Sequence, residues 1–175
     1  MQIIKTKFKG LYFYKKKNYF DKRGYFRELF KNKEIKKHFC FDYISYSKKN
    51  VLRGLHIQIK KPQDKLITVF AGRIFDVVVD LRKNSKTFGE YFSVILSSKE
   101  NKSFFIPAGF AHGFCALEEN TLLHYKCTQY RNKASEAGVM WNDKNLNIKW
   151  PINNPILSRK DNSNYTFNEI VNLIK

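Results

Sequence analysis

The chain has 175 residues, 43% of them hydrophobic and 16% aromatic, with sixteen Phe and ten Tyr; that is one domain over 1–175 with enough apolar area for a core, which excludes disorder as a description of the whole. Lys and Arg number 33 against 15 Asp and Glu, a formal charge of +18, so nucleic acid, an anionic membrane and an anionic small molecule are the partners to consider first. Twenty-six of the 33 are lysines scattered in short runs such as Lys15-Lys16-Lys17, and no finger, zinc-knuckle or helix-turn-helix pattern accompanies them, so neither nucleic acid nor membrane is an expected partner.

Lysines interrupt residues 1–10 where a signal peptide would be apolar, and no later run reaches the roughly 18–20 apolar residues of a membrane-spanning helix, so a cytoplasmic protein is expected. In Phe20–Phe30 the alternation places Phe26, Glu28 and Phe30 on one strand face, with Arg23 beside a turn glycine. Glu28, a carboxylate between two Phe, either pairs with an arginine such as Arg23 or Arg53, the favoured reading because a buried charge needs a partner, or faces solvent with the two Phe at an edge. Asn32–His38 has room for one helical turn. Val51–Gln58 (VLRGLHIQ) is a strand in which Arg53 and His56 come together if Gly54 permits a bulge or twist. His56 is either a hydrogen-bonded core histidine or a functional base. A metal site is not expected, because the residue two beyond His56 is Gln58, a poor ligand. Lys65 opens the next strand as a candidate cation.

Lys65–Arg82 reads as two apolar, β-branched runs separated by Ala71-Gly72, which predicts a hairpin. Short strands follow at Tyr91–Leu96, Ser103–Ile106, Phe110–Leu117 and Thr121–Gln129. The turn IPAGFAHGF carries His112, either as a structural imidazole bonded to backbone or as a ligand contact, while Tyr125 and Tyr130 read as aromatic core residues with satisfied hydroxyls. At the C-terminus Phe167, Ile170, Val171 and Ile174 share one helical face, with Thr166 as N-cap. Many short strands with little helix predict an all-β antiparallel jelly roll with short peripheral helices, holding a ligand between its sheets. Cys40, Cys115 and Cys127 are odd in number and lack a C-x-x-C pair, so free buried thiols are expected.

Taken together, FDKRGYFRELF, VLRGLHIQ, KLITVFAGRIFDVVVDLR, SKTFG, IPAGFAHGF, YKCTQY, and WNDKNLNIKWP with PILSRKD resemble the RmlC-like family, the dTDP-4-dehydrorhamnose 3,5-epimerases and their nucleotide-sugar relatives. The resemblance covers nearly the whole chain, in order. It implies a cupin-type jelly roll, a homodimer without a cofactor or metal, and epimerisation of an NDP-4-keto-6-deoxy sugar for surface-polysaccharide precursors. By the same resemblance His56 is the base, Asp161 its paired carboxylate, Lys65 the enolate stabiliser and Tyr125 the acid. Arg23, Phe26, Glu28, Arg53, His112 and Tyr130 would contact substrate. One departure stands out: Phe41 and Tyr43 lie where family members commonly carry Gln and Asn, which leaves the nucleotide base and the sugar, hexose or heptose, open. Also open are inversion at C3 or C5 alone, a 3,4-ketoisomerase, and a sugar-binding jelly roll without catalysis.

Overall fold

Alternating and continuous apolar runs rich in Val, Ile, Phe and Tyr become strands throughout the computed structural model, which describes residues 1–174. The first seven are β1 (Gln2–Lys5), β2 (Tyr12–Lys15), β3 (Asn18–Asp21), β4 (Gly24–Arg27), β5 (Phe41–Ser47), β6 (Leu52–Gln58) and β7 (Lys65–Ala71). They are followed by β8 (Arg73–Asp80), β9 (Tyr91–Ser97), β10 (Lys102–Ile106), β11 (Phe110–Ala116), β12 (Thr121–Cys127) and β13 (Glu136–Gly138). Two antiparallel sheets form the sandwich of a jelly roll. One has six strands in the order β1, β2, β10, β7, β12, β5, and the other five in the order β13, β6, β11, β8, β9. Strands β3 and β4 form a separate two-stranded hairpin.

Between the sheets, Phe8, Phe13, Ile67, Val69, Ile74, Val78, Phe104 and Phe114 are buried in one cluster that reaches Tyr125 and Cys127. The other face of the five-stranded sheet is also apolar, through Leu55, Val77, Val79 and Ala111, and is covered by Val139, Leu146, Ile148 and Ile170. Ile170 belongs to the helix α1 (Phe167–Leu173), whose N-cap Thr166 accepts from the Glu169 amide while Glu169 accepts from the Thr166 amide. This capping box satisfies two otherwise orphaned donors, so a seven-residue helix can hold in place against the sheet. Among the described residues no helix is long and apolar enough to cross a membrane. Cys115 and Cys127 are buried free thiols, both raised to about 11 by burial, and Cys40 is half-buried and free.

Three local expectations need correction. Ala71-Gly72 is not a hairpin turn: β7 pairs with β10 and β12, whereas β8 pairs with β9 and β11. Here the chain crosses from one sheet to the other, with Gly72 at φ +76° against Thr121. Both runs are apolar on both faces, so periodicity could not separate a crossover from a hairpin. Second, Asn32–His38 holds a turn, closed by Glu34 N–H donating to Lys31 C=O at 2.9 Å, and no helix. Third, Glu28 pairs with Lys31 at 2.5 Å, while Arg23 pairs with Asp21. Strand β4 ends at Arg27, so Glu28 leaves the strand face and meets the lysine three residues on.

Candidate active site

Where the apolar core stops at Phe114 and Tyr125, the inward positions of both sheets turn polar around a cavity of about 460 Å³. That volume suits a small-molecule ligand. Its two walls come from different sheets. Strand β6 supplies Arg53, His56 and Gln58, and its neighbour β11 supplies His112, which stands directly opposite His56 in the strand register. Facing them, the six-stranded sheet supplies Lys65 from β7, Tyr125 from β12, and Phe41, Tyr43 and Ser45 from β5. Alternation explains the second set, because residues two apart on a strand share a face.

Gly54 sets the spacing of Arg53 and His56. It adopts φ +117°, and the β6–β11 register shifts beside it. A Cβ there would lie 2.6 Å from Gly113 Cα and 2.7 Å from His112 O. Gly54→Ala is therefore expected to destabilise the protein by roughly 2–4 kcal/mol, from a disfavoured backbone conformation plus overpacking. Urea unfolding measures this as a lower midpoint at unchanged slope.

His56 Nε2 donates to Asp161 Oδ1 at 2.5 Å. The carboxylate opens the short 3-10 turn Asp161–Ser163 and is itself buried. Its second oxygen accepts from Ser158 Oγ at 2.8 Å, and the Asp161 amide donates back to that hydroxyl at 3.1 Å. Burial raises the Asp161 pKa, but the hydrogen bond and charge of His56 and the Ser158 bond outweigh it, so the net shift is downward. An ionised Asp161 only accepts, which assigns the Nε2 proton to His56 and leaves Nδ1 as the basic nitrogen. Across the cavity, burial holds the Tyr125 phenol well above its ordinary value, so it is a proton donor at neutral pH. Burial lowers the Lys65 ammonium, which makes no ion pair with the described residues. An anion forming in the cavity would be its first partner.

The remaining charges line the mouth. Arg53 is anchored by β5, donating to Ser47 Oγ at 3.0 Å and to Tyr46 C=O at 2.9 Å. Arg131 and Lys160 both donate to Glu136, whose pKa falls to about 2 through the Arg131 bond first. Among the cavity's lining residues Arg53, Lys65, Arg131 and Lys160 outnumber Glu136 and Asp161, so the site favours an anionic ligand.

The structure thus brings His56, Asp161, Lys65, Tyr125, Arg53 and His112 to one cavity. Tyr130 stands outside it in an adjoining groove, its ring 6.1 Å from that of Phe41. Arg23, Phe26 and Glu28 do not reach the chain's own cavity; Arg23 and Phe26 are exposed on the β3–β4 hairpin. Sequence reasoning missed Asp76, which accepts from His112 Nε2 at 2.8 Å in full burial, and also Gln58, Glu136 and Lys160. Gln58 ties down the loop, accepting from Asn132 N–H and donating to Lys61 and Tyr130 carbonyls. A carboxylate within the apolar run of β8 was a legible signal for Asp76, because buried Asp is almost always paired. Nothing local marked Glu136 or Lys160.

Residues 5–169 match the family model described as dTDP-4-dehydrorhamnose 3,5-epimerase. The enzyme of that name from Methanothermobacter thermautotrophicus is 44% identical over 168 residues, 91% of each chain. Among solved structures, the dTDP-4-dehydrorhamnose 3,5-epimerase of Elizabethkingia anophelis superposes with a TM-score of 0.91 at 42% identity, covering 97% of each chain. The RmlC of Legionella pneumophila, a dTDP-6-deoxy-D-glucose-3,5-epimerase in complex with dTDP-4-keto-L-rhamnose, gives 0.92 at 41% identity, covering 99% of this chain and 94% of that one. With nearly the full length matched in sequence and fold, this chain belongs to the dTDP-4-dehydrorhamnose 3,5-epimerase family.

Proposed function

We propose that this protein inverts C3 and C5 of a dTDP-linked 4-keto-6-deoxy sugar, using His56 as base, Tyr125 as acid and Lys65 as the cation beside the C4 carbonyl. The observation that carries the reading is the placement of His56 on the five-stranded sheet and of Tyr125 and Lys65 on the six-stranded sheet, facing one cavity. Inversion needs removal of a proton from one face of the ring and its return on the other. A base and an acid on opposite walls meet that need.

His56 Nδ1 takes the hydrogen of C3 or C5, and the C–H electron pair becomes the enolate of the C4 ketone. Such carbon acids ionise only where the developing oxyanion is stabilised, and the Lys65 ammonium supplies that charge in a partly desolvated setting. Asp161 supports the imidazolium that forms. Tyr125 then delivers its phenolic proton to the opposite face, the enolate collapses back to the ketone, and solvent re-equilibrates the two side chains. Arg53, Arg131 and Lys160 at the mouth suit the diphosphate, since guanidinium forks and ammonium groups match phosphate oxygens.

In deuterated water the product is expected to carry solvent label at both C3 and C5. Label at one carbon only corrects the reading to a single-site epimerase, and a carbonyl moved to C3 corrects it to a ketoisomerase. Tyr125→Phe is expected to keep hydrogen exchange while inversion falls by roughly 10²–10³-fold; equal loss of both would remove Tyr125 from the acid role.

A homodimer is part of the proposal. Ile44, Tyr46 and Phe70 lie exposed on the outer face of the six-stranded sheet, and Phe20, Tyr25 and Phe26 on the β3–β4 hairpin. Exposed apolar surface of this extent marks an interaction face, and Arg23 and Phe26, exposed on that hairpin, are placed to serve the cavity of a second copy. Light scattering reports the mass directly; a monomer at micromolar concentration would refute the dimer. The cytoplasm is the proposed location, supported by three free thiols and a nucleotide-sugar substrate.

A further inference from the structure

The ring of Tyr43 lies parallel to that of Tyr125, with centroids 4.4 Å apart and planes 9° from each other. The two residues are direct partners across the β5–β12 ladder, so the backbone register itself holds the stack. Tyr125 is only 5% exposed, whereas Tyr43 is 36% exposed. Tyr43 thus covers one face of the Tyr125 ring and is the more exposed of the two, while both line the cavity. On another side Tyr125 meets the buried His112 edge-on at 6.2 Å, and His112 is fixed by Asp76. The Tyr43 ring also abuts Phe41 at 5.4 Å, which continues the aromatic row toward Tyr130. The Tyr125 ring is thereby held on one face and one edge, while the mechanism never uses the Tyr43 ring.

We propose that Tyr43 is a positioning residue for proton return: its stacked ring sets the aim of the Tyr125 phenol and keeps water from it, so that the enolate is protonated from the inverting face. This rests on the reading of Tyr125 as the acid. A ring is required for the stack, but the Tyr43 hydroxyl is not. The phenol must lie within hydrogen-bond reach of the carbon it protonates, and a misplacement of about 1 Å costs up to 10²-fold in rate. Burial is the main reason the Tyr125 proton is held tightly.

Once His56 has taken a proton, the enolate has two fates in deuterated water. Return from His56, once its imidazolium has exchanged the abstracted proton for a solvent deuteron, yields substrate of unchanged configuration carrying deuterium, and delivery from Tyr125 yields the inverted product. The ratio of labelled substrate to inverted product is a property of each active molecule, so it does not move when a variant is merely less well folded. Tyr43→Ala, and Tyr43→Leu as the variant that keeps apolar volume, are expected to raise this ratio roughly tenfold to a hundredfold, with hydrogen exchange within about threefold of the parent. Tyr43→Phe, which keeps the ring, is expected to hold the ratio within about twofold. A ratio unchanged in both Tyr43→Ala and Tyr43→Leu, even with a raised KM, overturns the proposal, as does a raised ratio in Tyr43→Phe. Tyr125→Phe separates the two readings: if it leaves the ratio unchanged the acid assignment itself fails, whereas a raised ratio there with none in Tyr43→Ala and Tyr43→Leu removes only the role of Tyr43.

Discussion

His56→Ala is expected to lower kcat by about 10³–10⁴-fold while binding of dTDP changes by less than about threefold. His56 is the imidazole that combines a buried carboxylate on one nitrogen with access to the cavity, and its side chain is about one-third exposed there. His112 also has a carboxylate partner, but it is 4% exposed and closed in by Asp76 and Tyr125, so it cannot take over the proton. Asp161→Asn keeps the shape and tests the tautomer. An amide can present its NH₂ to Nε2 and turn the protonated nitrogen toward the substrate, so a loss on the order of 10²–10⁴-fold is expected, with folding retained. Calorimetry with dTDP beside steady-state rates distinguishes these outcomes. A His56→Ala enzyme with more than a tenth of the parent rate would rule out the base assignment.

Lys65→Met is expected to reduce kcat by roughly 10²–10³-fold, the usual cost of removing one electrostatic contact to a developing oxyanion, and at the same time to raise Tm. The two effects share a cause. Burial lowers the pKa of the Lys65 ammonium from its ordinary value, which means that the folded state disfavours the charge. The sign follows by linkage. Between the lowered folded value and the ordinary lysine value of 10.5, the unfolded chain binds more protons at this residue, so its contribution to stability improves as pH rises through that window. At neutral pH the charged lysine therefore costs stability, and methionine, of similar length and apolar, removes that cost. Thermal melts at pH 7 and pH 10 check both parts: the gain in Tm from Lys65→Met should shrink at the higher pH. A variant that loses activity and Tm together would place Lys65 among the structural residues instead.

Much of this was legible before any fold was known, and the reasons differ by residue. The strands β9 to β12 and the capped C-terminal helix follow from local pattern, because β-branched and aromatic runs, turn glycines and a Thr-x-x-Glu box each act over a few residues. Gly54 announced a bulge within its own strand. Asp161 was named only through family likeness, since 105 residues separate it from His56 and no spacing rule spans that distance. Glu136 and Lys160 became part of the site through an ion pair between β13 and the segment after Ser158. The Lys65–Arg82 stretch misled for a related cause: strand identity was evident, strand partnership was not.

The amino-acid order by itself therefore determined which segments become strands, where the helix starts, and which side chains have the chemistry of a base, an acid and a cation. Only the folded chain decided that β7 and β8 part company at Gly72, that His56 faces Tyr125 across two sheets, that Tyr43 stacks on Tyr125, and that Arg23, Phe26 and Glu28 lie outside the chain's own cavity. Local structure is set by backbone dihedrals and side-chain alternation over neighbouring residues, which the sequence carries directly. A site is set by which sheets meet, and that is settled by burying apolar faces against partners far along the chain.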